Sequence, residues 1–368
     1  MKIKQASSIV VNNKIYERKK SGYDLITLSL GESFFQLPTF TLNIDDSVNH
    51  YVETLGLYDL RSNLSRYYLD SKIIVHPDSV LITSGAKLGV LEALMAFKSN
   101  TGNMKRVGYF EPAWVSYSEQ IKLVDAIPVA FDISQFSILS DEDFINLDCI
   151  IINNPHNPSG KLFSEIEIRN FYTKCLEFGI SIIFDEVYSE FTDGFFFSGA
   201  NLLKNSNDIN VVVINSLSKN FGMSGWRIGY CLFNESIKQD LISIHQHTMT
   251  CASVPLQRLL ADNFEMIRKI TRPQIDNIII KRALVVDYLK KMNFNVLEGT
   301  STFYIFVSHQ LVENFDNLFD SFLENGVAVV PGSGYGSDYR NYMRISVGTE
   351  SVDRIRNAID IIKRIIEE

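Results

Sequence analysis

From residue 79 onward, the sequence alternates short apolar runs with segments of helical periodicity, and this alternation is the strongest constraint on the fold. The runs are rich in β-branched residues, as is typical of buried strands. Strands that alternate with helices usually pair in parallel and are covered on both faces. The chain is therefore predicted to be an α/β protein with a mostly parallel, seven-stranded sheet sandwiched by helices. The predicted strands start near residues 80, 106, 127, 148, 180, 211 and 228.

The length of 368 residues is too great for one simple core and predicts two domains. Residues 271–292 are predicted to form one long helix with Pro273 in its first turn, where proline is tolerated. We expect an N-terminal segment at 1–40 that joins the small domain, a large domain at 41–265, and a smaller α+β domain at 266–368. The predicted C-terminal elements are strands at 302–308, 325–332 and 342–348 and a helix at 351–366.

Composition narrows the functional classes. A net charge of −8 disfavours a nucleic-acid surface, and no apolar run approaches a membrane span. The first residues lack the apolar stretch of a signal peptide. Cys149, Cys175, Cys231 and Cys251 fit no metal-ligand spacing and are interpreted as free thiols in a reducing compartment. We expect a cytoplasmic protein that binds no metal, nucleic acid or membrane.

The stretch at 211–230, VVVINSLSKNFGMSGWRIGY, gives the first indication of chemistry. An apolar run leads into a polar loop with Ser216, Ser218 and Lys219, and Arg227 follows eight positions after the lysine. A lysine amine can form a Schiff base with an aldehyde. Hydroxyls and a guanidinium can hold a phosphate. Pyridoxal phosphate (PLP) offers both groups, whereas an isolated S-x-S-K is more often a solvated surface loop.

This stretch resembles the PLP-lysine segment of the class I/II aminotransferases, the aspartate aminotransferase-like family of fold-type I. The resemblance implies that Lys219 holds PLP as an aldimine, and that Ser216, Ser218 and Arg227 anchor its phosphate. The family pattern is S-x-S/A-K-x-x-x-M-x-G-W-R-x-G-Y. It is matched by Ser216, Ser218, Lys219, Met223, Gly225, Trp226, Arg227, Gly229 and Tyr230.

Two further motifs resemble the family's contacts with the cofactor's phosphate and ring. The turn at 84–87, S-G-A-K, opens a predicted helix, whose N-terminus favours a phosphate. There the family uses two backbone amides, which are those of Ala86 and Lys87 in this chain. EPAWVSY at 111–117 is similar to the family's P-x-W/Y-x-x-Y and implies that Trp114 stacks on the pyridine ring. A core tryptophan is the alternative.

Two other motifs resemble the family's contacts with the ring substituents. NPHNPSG at 154–160 is similar to N-P-x-N-P-T-G and implies that Asn157 bonds the phenolic oxygen. Asp185 follows a predicted buried strand, at the sheet end where open α/β sheets bind ligands. A carboxylate there can pair with a protonated pyridine nitrogen. The D-E-V-Y motif gives Asp185 that role and adds Tyr188 as a second partner of the phenolic oxygen, although Asp185 could instead cap the next element.

Three other positions bear on substrate and assembly. Gly31 opens a segment similar to the family's G-E-x-x-F, although Ser33 stands where the family has proline. The resemblance implies that the Gly31 backbone lies against the substrate. Arg344, in Y-M-R-I-S, implies a bidentate contact with the α-carboxylate, which suits a guanidinium. Tyr51 matches the family tyrosine that reaches the neighbouring subunit's cofactor phosphate. The resemblance therefore implies a homodimer.

The resemblance implies a PLP-dependent aminotransferase that moves an amino group between an α-amino acid and a 2-oxo acid, with Lys219, Asp185 and Tyr188 as catalytic residues. A C–S β-lyase, a decarboxylase or an ACC-synthase-like elimination would use the same residues and stays open. A PLP-binding regulatory module is a third reading. Such modules usually carry an N-terminal DNA-binding domain, for which the roughly thirty residues before the first motif are too few.

Overall fold

A central seven-stranded sheet organises the protein, whose computed structural model describes residue 3 and residues 7–42, 46–205 and 208–368. The remaining residues of the predicted N-terminal segment, 1, 2 and 4–6, lie outside the described part. The strands are β1 (Ile26–Thr27), β2 (Val80–Thr83), β3 (Arg106–Glu111), β4 (Ile127–Asp132), β5 (Cys149–Asn153), β6 (Ser181–Asp185), β7 (Val211–Ser216), β8 (Gly229–Phe233), β9 (Asn295–Val296), β10 (Tyr304–Ser308), β11 (Val327–Ala328), β12 (Val330–Pro331) and β13 (Tyr342–Ser346).

The helices that cover and connect these strands vary widely in length. The α-helices are α1 (Ser7–Lys20), α2 (Tyr58–Asp70), α3 (Ala86–Thr101), α4 (Tyr117–Leu123), α5 (Asp141–Phe144), α6 (Glu165–Phe178), α7 (Leu217–Asn220), α8 (Lys238–Thr248), α9 (Val254–Lys291), α10 (Phe319–Glu324) and α11 (Val352–Glu367). Short 3-10 turns lie between several of them.

The large sheet has the strand order β2-β8-β7-β6-β5-β3-β4. The pairs from β7 to β4 are parallel, and β8 runs antiparallel to both of its neighbours. The prediction of an α/β fold with a mostly parallel, seven-stranded sheet is therefore confirmed. Because β3, β5, β6 and β7 run in one direction, the residues that follow them meet at one edge of the sheet.

Apart from the edge strand β4, this sheet is buried on both faces, which explains the continuous apolar runs in its other strands. Side chains that alternate along each strand enter two separate cores. On β6, for example, Ile182 and Phe184 pack on one face with α2 and α6, whereas Ile183 packs on the other face with α3 and α4. The helices thus form an outer layer on each side of the sheet.

The C-terminal part forms a second, smaller sheet of order β12-β13-β10-β9, with antiparallel pairing. Its core packs against the second half of α9 and against α11. N-terminal β1 pairs in parallel with β11, with Ile26 opposite Val327. The segment around β1 therefore lies beside the C-terminal part of the protein.

Helix α9 differs from its prediction. It begins at Val254, so Pro273 lies inside the helix rather than in its first turn. A proline inside a helix costs about 3 kcal/mol. A buried stripe at helical spacing continues through that point, from Leu260 and Phe264 to Ile275 and Ile278, while Pro273 itself is exposed. Burial of this stripe on both sides offsets the proline's cost.

Three cysteines are buried, Cys251 is half-buried, and all four are free thiols. Across the described ranges, the helices fall short of the combined length and apolar character that a membrane crossing needs.

Candidate active site

A cavity of about 300 Å³ opens at the carboxyl ends of the parallel strands. Its walls come from the large sheet, from the segment after β1, and from β10 and β13. Of the residues predicted for the site, Tyr51 alone does not line it. The predicted residues in its wall are Gly31, Ala86, Lys87, Trp114, Asn157, Asp185, Tyr188, Ser216, Ser218, Lys219, Arg227 and Arg344.

Lys219 is held on a single helical turn directly after β7. Ser216 caps this turn, because its side chain accepts a hydrogen bond of 3.1 Å from the Ser218 backbone N–H. The two serine hydroxyl oxygens are 2.8 Å apart. The Lys219 Nζ donates to the Gly31 carbonyl across the cavity. The turn therefore presents the lysine amine and two hydroxyls to the same cavity.

Positive charge gathers at the N-terminus of α3. Gly85 precedes this helix with a φ of +79°, and a Cβ there would lie 2.5 Å from Arg227 Nη2. Glycine thus makes room for the guanidinium, which donates a bond of 2.8 Å to the Ser224 carbonyl. Burial and the positive charges of Arg227 and Lys219 lower the pKa of Lys87. An anion between these cations would relieve their repulsion.

Asp185 is a buried carboxylate at the end of β6. Tyr117 donates to its Oδ2 at 2.5 Å, and the Val187 backbone N–H donates to its Oδ1 at 3.3 Å. Burial raises the pKa of Asp185 to about 6, while these two bonds and the charge of Lys219 oppose the rise. A cationic ring nitrogen would stabilise the ionised carboxylate.

Trp114 forms a half-buried wall of the cavity. Its ring stands edge-on to Tyr117 at a centroid distance of 5.2 Å, and Lys87 Nζ lies 5.0 Å from its centroid. The tryptophan is thus linked through Tyr117 to Asp185. A flat aromatic group bound near Asp185 would find an aromatic surface in Trp114.

Asn157 and Tyr188 meet in the wall of the same cavity. The Asn157 backbone N–H donates to the Asn153 side chain at 2.7 Å, which fixes the loop after β5. The Asn157 side-chain amide then donates to the Tyr188 hydroxyl at 3.4 Å. An oxygen of a ligand placed between them would receive two donors.

Arg344 lies in the strand β13 of the smaller sheet, buried at 5% exposure. Met343, Ile345 and Val347 pack in the C-terminal core, so alternation turns Arg344 to the cavity, as the pattern predicted. Its Nη1 donates to the side-chain oxygen Oδ1 of Asn157 at 3.2 Å, and its Nη2 donates to the backbone carbonyl of Ser29 at 3.1 Å. Its buried Nε has no partner in the described part of the chain. It can therefore still bind a carboxylate.

Tyr51 lies outside the cavity and is 84% exposed. Its predicted role requires a second subunit, so this chain alone does not place it near any cofactor.

The structure adds site residues that the motifs did not assign. Tyr117 bonds Asp185, and it occupies the last position of the quoted P-x-W/Y-x-x-Y motif, which was the available signal. Tyr304 and Tyr335 flank Arg344. The Ser29 carbonyl accepts a hydrogen bond from Arg344, and the Asn153 side chain accepts one from the Asn157 backbone. The motifs assigned no role to these four residues, because their contacts depend on distant parts of the chain.

The residues present fit PLP. The cations beside Gly85 suit a phosphate, the buried Asp185 suits a protonated pyridine nitrogen, and Lys219 Nζ suits an aldehyde. The donors of Asn157 and Tyr188 suit a phenolic oxygen. PLP carries these four chemical features on one ring.

Comparison with known proteins agrees with this fit. Residues 29–362 match the family model for aminotransferase class I and II. An aspartate aminotransferase of Bacillus subtilis is 28% identical, over 99% of this chain and 96% of the relative. One from Thermotoga maritima is 30% identical, over 94% and 92% of the two chains.

Solved structures agree on the fold. The aspartate aminotransferase from Thermus thermophilus with maleate superposes with a TM-score of 0.85 at 22% identity, covering 99% of this chain and 97% of that one. The family match and the relatives extend over nearly the whole chain. The protein belongs to the class I and II aminotransferases, and it is a PLP-dependent aminotransferase.

Proposed function

We propose that this cavity moves an amino group between an α-amino acid and a 2-oxo acid, with Lys219 as the central residue. The observation that carries this is the convergence of Lys219, Asp185 and Arg344 on one cavity. PLP, when bound, supplies a reactive aldehyde and a ring that draws electrons from the substrate's α-carbon. The chain's residues supply binding, orientation and proton transfer.

Lys219 has two tasks in this proposal. While bonded, its Nζ would hold the cofactor's aldehyde carbon. As a free amine, Nζ would be the base that takes the proton from the substrate's α-carbon. The capped turn after β7 keeps the amine at the cavity wall in both states.

The other residues hold the two reactants. Arg227, Ser216, Ser218 and the backbone amides of Ala86 and Lys87 would bind the phosphate. Asp185 would keep the ring nitrogen protonated, and Trp114 would cover the ring. The phenolic oxygen would accept from Asn157 and Tyr188. Arg344 would bind the substrate α-carboxylate, with the Gly31 backbone beside the substrate.

We propose an acidic amino acid as donor. Relatives named aspartate aminotransferase support this choice.

We propose a homodimer in which Tyr51 reaches the partner's cofactor phosphate. Tyr51 is exposed, as are the side chains of Lys87 and Arg227 at the phosphate end of the cavity. A second subunit placed there would cover all three side chains. Partners beyond this second copy are the small-molecule amino acid and 2-oxo acid substrates.

A cytoplasmic location is also proposed. The buried free thiols Cys149, Cys175 and Cys231 suit a reducing compartment. Cell fractionation with an antibody against the native protein would test it, and recovery outside the cytoplasmic fraction would contradict it.

A donor and acceptor screen tests the function directly. Holoenzyme is incubated with heavy-nitrogen-labelled amino acids and a panel of 2-oxo acids, and the products are identified by mass spectrometry. We expect labelled nitrogen on the acceptor acid, with acidic donors the fastest, and no transfer by Lys219→Ala. Ammonia with no labelled acceptor would indicate elimination instead, and carbon dioxide release would indicate decarboxylation.

A further inference from the structure

Tyr304 lies in the wall of the cavity that forms the candidate site. It is the first residue of β10 and is 1% exposed. Its ring faces Arg344, whose Cζ lies 4.0 Å from the ring centroid. Its hydroxyl oxygen accepts a hydrogen bond of 3.3 Å from Tyr188. One side chain thus contacts both the residue proposed for the substrate carboxylate and a residue proposed for the cofactor.

The ring holds Arg344 without neutralising it. Within the described ranges, no carboxylate forms an ion pair with Arg344. An aromatic face attracts a guanidinium and confines its plane, yet leaves its charge available. A carboxylate partner in the same place would compete with the substrate. The Tyr304 ring therefore suits a guanidinium that must stay ready for an incoming carboxylate.

The hydroxyl belongs to a chain of polar groups. Asn157 donates to Tyr188 at 3.4 Å, and Tyr188 lies 3.3 Å from Tyr304. Burial and the Tyr304 hydroxyl raise the pKa of Tyr188 well above its usual value, so Tyr188 stays a donor. Without a ligand, Tyr188 donates to Tyr304. If Tyr188 donates to a ligand oxygen instead, this bond can reverse, so that Tyr304 donates to the Tyr188 oxygen. Consecutive hydrogen bonds strengthen one another in a buried site.

The backbone fixes Tyr304 in this position. Arg282 Nε donates to the Tyr304 carbonyl at 2.9 Å, and the Tyr304 backbone N–H donates to the Thr302 hydroxyl at 3.1 Å. A Cβ at Gly31 would lie 3.0 Å from the Tyr304 hydroxyl, so glycine leaves room for it. The ring and the hydroxyl are thus held in place independently of any ligand.

We propose that Tyr304 is a positioning residue with two separable tasks: its ring orients Arg344 for the substrate carboxylate, and its hydroxyl strengthens the hydrogen bond that Tyr188 gives to the cofactor's phenolic oxygen. This inference rests on the proposed function, because it uses the roles proposed there for Arg344 and Tyr188.

Two substitutions separate the tasks in the holoenzyme. Tyr304→Phe keeps the ring and removes the hydroxyl, whereas Tyr304→Leu removes both. The first readout is the pH midpoint of the bound cofactor's visible absorption. The second is the Kd of succinate, a dicarboxylate without an amino group, from its effect on that absorption. Tyr335→Phe is the matched control for the first readout. The Tyr335 ring also lies beside Arg344, but its buried hydroxyl has no hydrogen-bond partner among the residues that the structure describes.

We expect Tyr304→Phe to raise the pH midpoint by about half a unit to one unit. Without the Tyr304 hydroxyl, Tyr188 is a weaker donor to the phenolic oxygen and stabilises the deprotonated form of the bound cofactor less. The Kd of succinate should stay within twofold. Tyr304→Leu should show the same midpoint shift and weaken succinate binding by about fivefold. Tyr335→Phe should leave the midpoint unchanged.

Tyr188→Phe separates failure of this inference from failure of the proposed function. It should raise the midpoint more than Tyr304→Phe does. If Tyr188→Phe shifts the midpoint and Tyr304→Phe does not, the role of the Tyr304 hydroxyl is wrong. If Tyr304→Leu binds succinate as tightly as Tyr304→Phe, the role of the ring is wrong. If Tyr188→Phe itself has no effect, the proposed cofactor contacts are wrong.

Discussion

The Tyr117 hydroxyl donates to Asp185 Oδ2 at 2.5 Å and connects the aromatic wall of the cavity to its buried carboxylate. Burial alone would favour a protonated Asp185, whose pKa is raised to about 6, and the bond from Tyr117 opposes that rise. Tyr117 therefore keeps Asp185 ionised for the ring nitrogen that we propose it pairs with.

Tyr117→Phe tests this relationship in the protein before PLP is added. Losing the donor should raise the pKa of Asp185 above about 6. Since the ionised carboxylate binds the cofactor, PLP affinity should fall as the pH drops through this pKa. In the variant the fall should begin at higher pH, with affinity about tenfold lower at neutral pH. Titration of tryptophan fluorescence with PLP across pH measures both quantities.

Tyr109→Phe is the matched control for that titration. Its hydroxyl donates to Glu111 rather than to Asp185, and Tyr109 does not line the cavity. The same pH dependence in Tyr117→Phe and in the unmodified protein would show that the Tyr117 bond does not control Asp185.

Arg344→Lys separates substrate binding from cofactor binding. Lysine keeps the charge but loses the planar fork and its bonds to Asn157 and Ser29. We expect kcat/KM to fall by about a hundredfold for every α-amino acid, mainly through KM, while the cofactor's absorption stays as in the unmodified protein. Steady-state kinetics with several donors measure this. An unchanged kcat/KM would mean that Arg344 does not bind the α-carboxylate.

Mixed dimers test the role of Tyr51. A Tyr51→Phe subunit should bind PLP more weakly, by about fivefold, because a phosphate contact is lost. When it pairs with a Lys219→Ala subunit, one site combines an intact Lys219 with an intact Tyr51 from the partner. Activity at limiting PLP should therefore rise after mixing. Tyr58→Phe, at a nearby exposed tyrosine, serves as control and should need no rescue. No rise after mixing would place Tyr51 in its own subunit's site or in neither site.

Local pattern was sufficient for the large sheet. Each strand of the large sheet starts within one residue of the position predicted for it, and the strand predicted near 127 starts at Ile127 itself. Buried strands of a parallel sheet are continuous apolar runs bounded by polar turns, so the chain marks their limits. The same logic failed for α9, where Pro273 was taken as a start signal although the buried stripe continues through it.

The site could be predicted only where a motif carries it. Tyr117 and Asp185 are 68 positions apart, and their contact arises because α4 and the end of β6 meet at the same edge of the sheet. Tyr304 lies in β10 of the smaller sheet, whereas Tyr188 lies 116 positions away in the turn after β6 of the large sheet. No local pattern encodes such contacts, since they depend on how the elements pack.

The division into domains stays a proposal, at residues 41–265 for the large unit and at 266–368, joined by 1–40, for the small one. Leu260 and Phe264 of α9 pack in the core of the large sheet, whereas Ile275 and Ile278 pack in the C-terminal core. The proposed boundary thus lies inside a continuous helix, close to Pro273. The pairing of β1 with β11 supports placing the N-terminal segment with the small unit.

The central claim is that Lys219 holds the cofactor and performs the proton transfer. Borohydride reduction of the holoenzyme fixes PLP to the lysine that holds it, and peptide mapping identifies that lysine. We predict the label on the peptide that contains Lys219, and we predict that Lys219→Ala still binds PLP but loses nearly all turnover. Label on another lysine of the cavity, such as Lys87, would contradict the account.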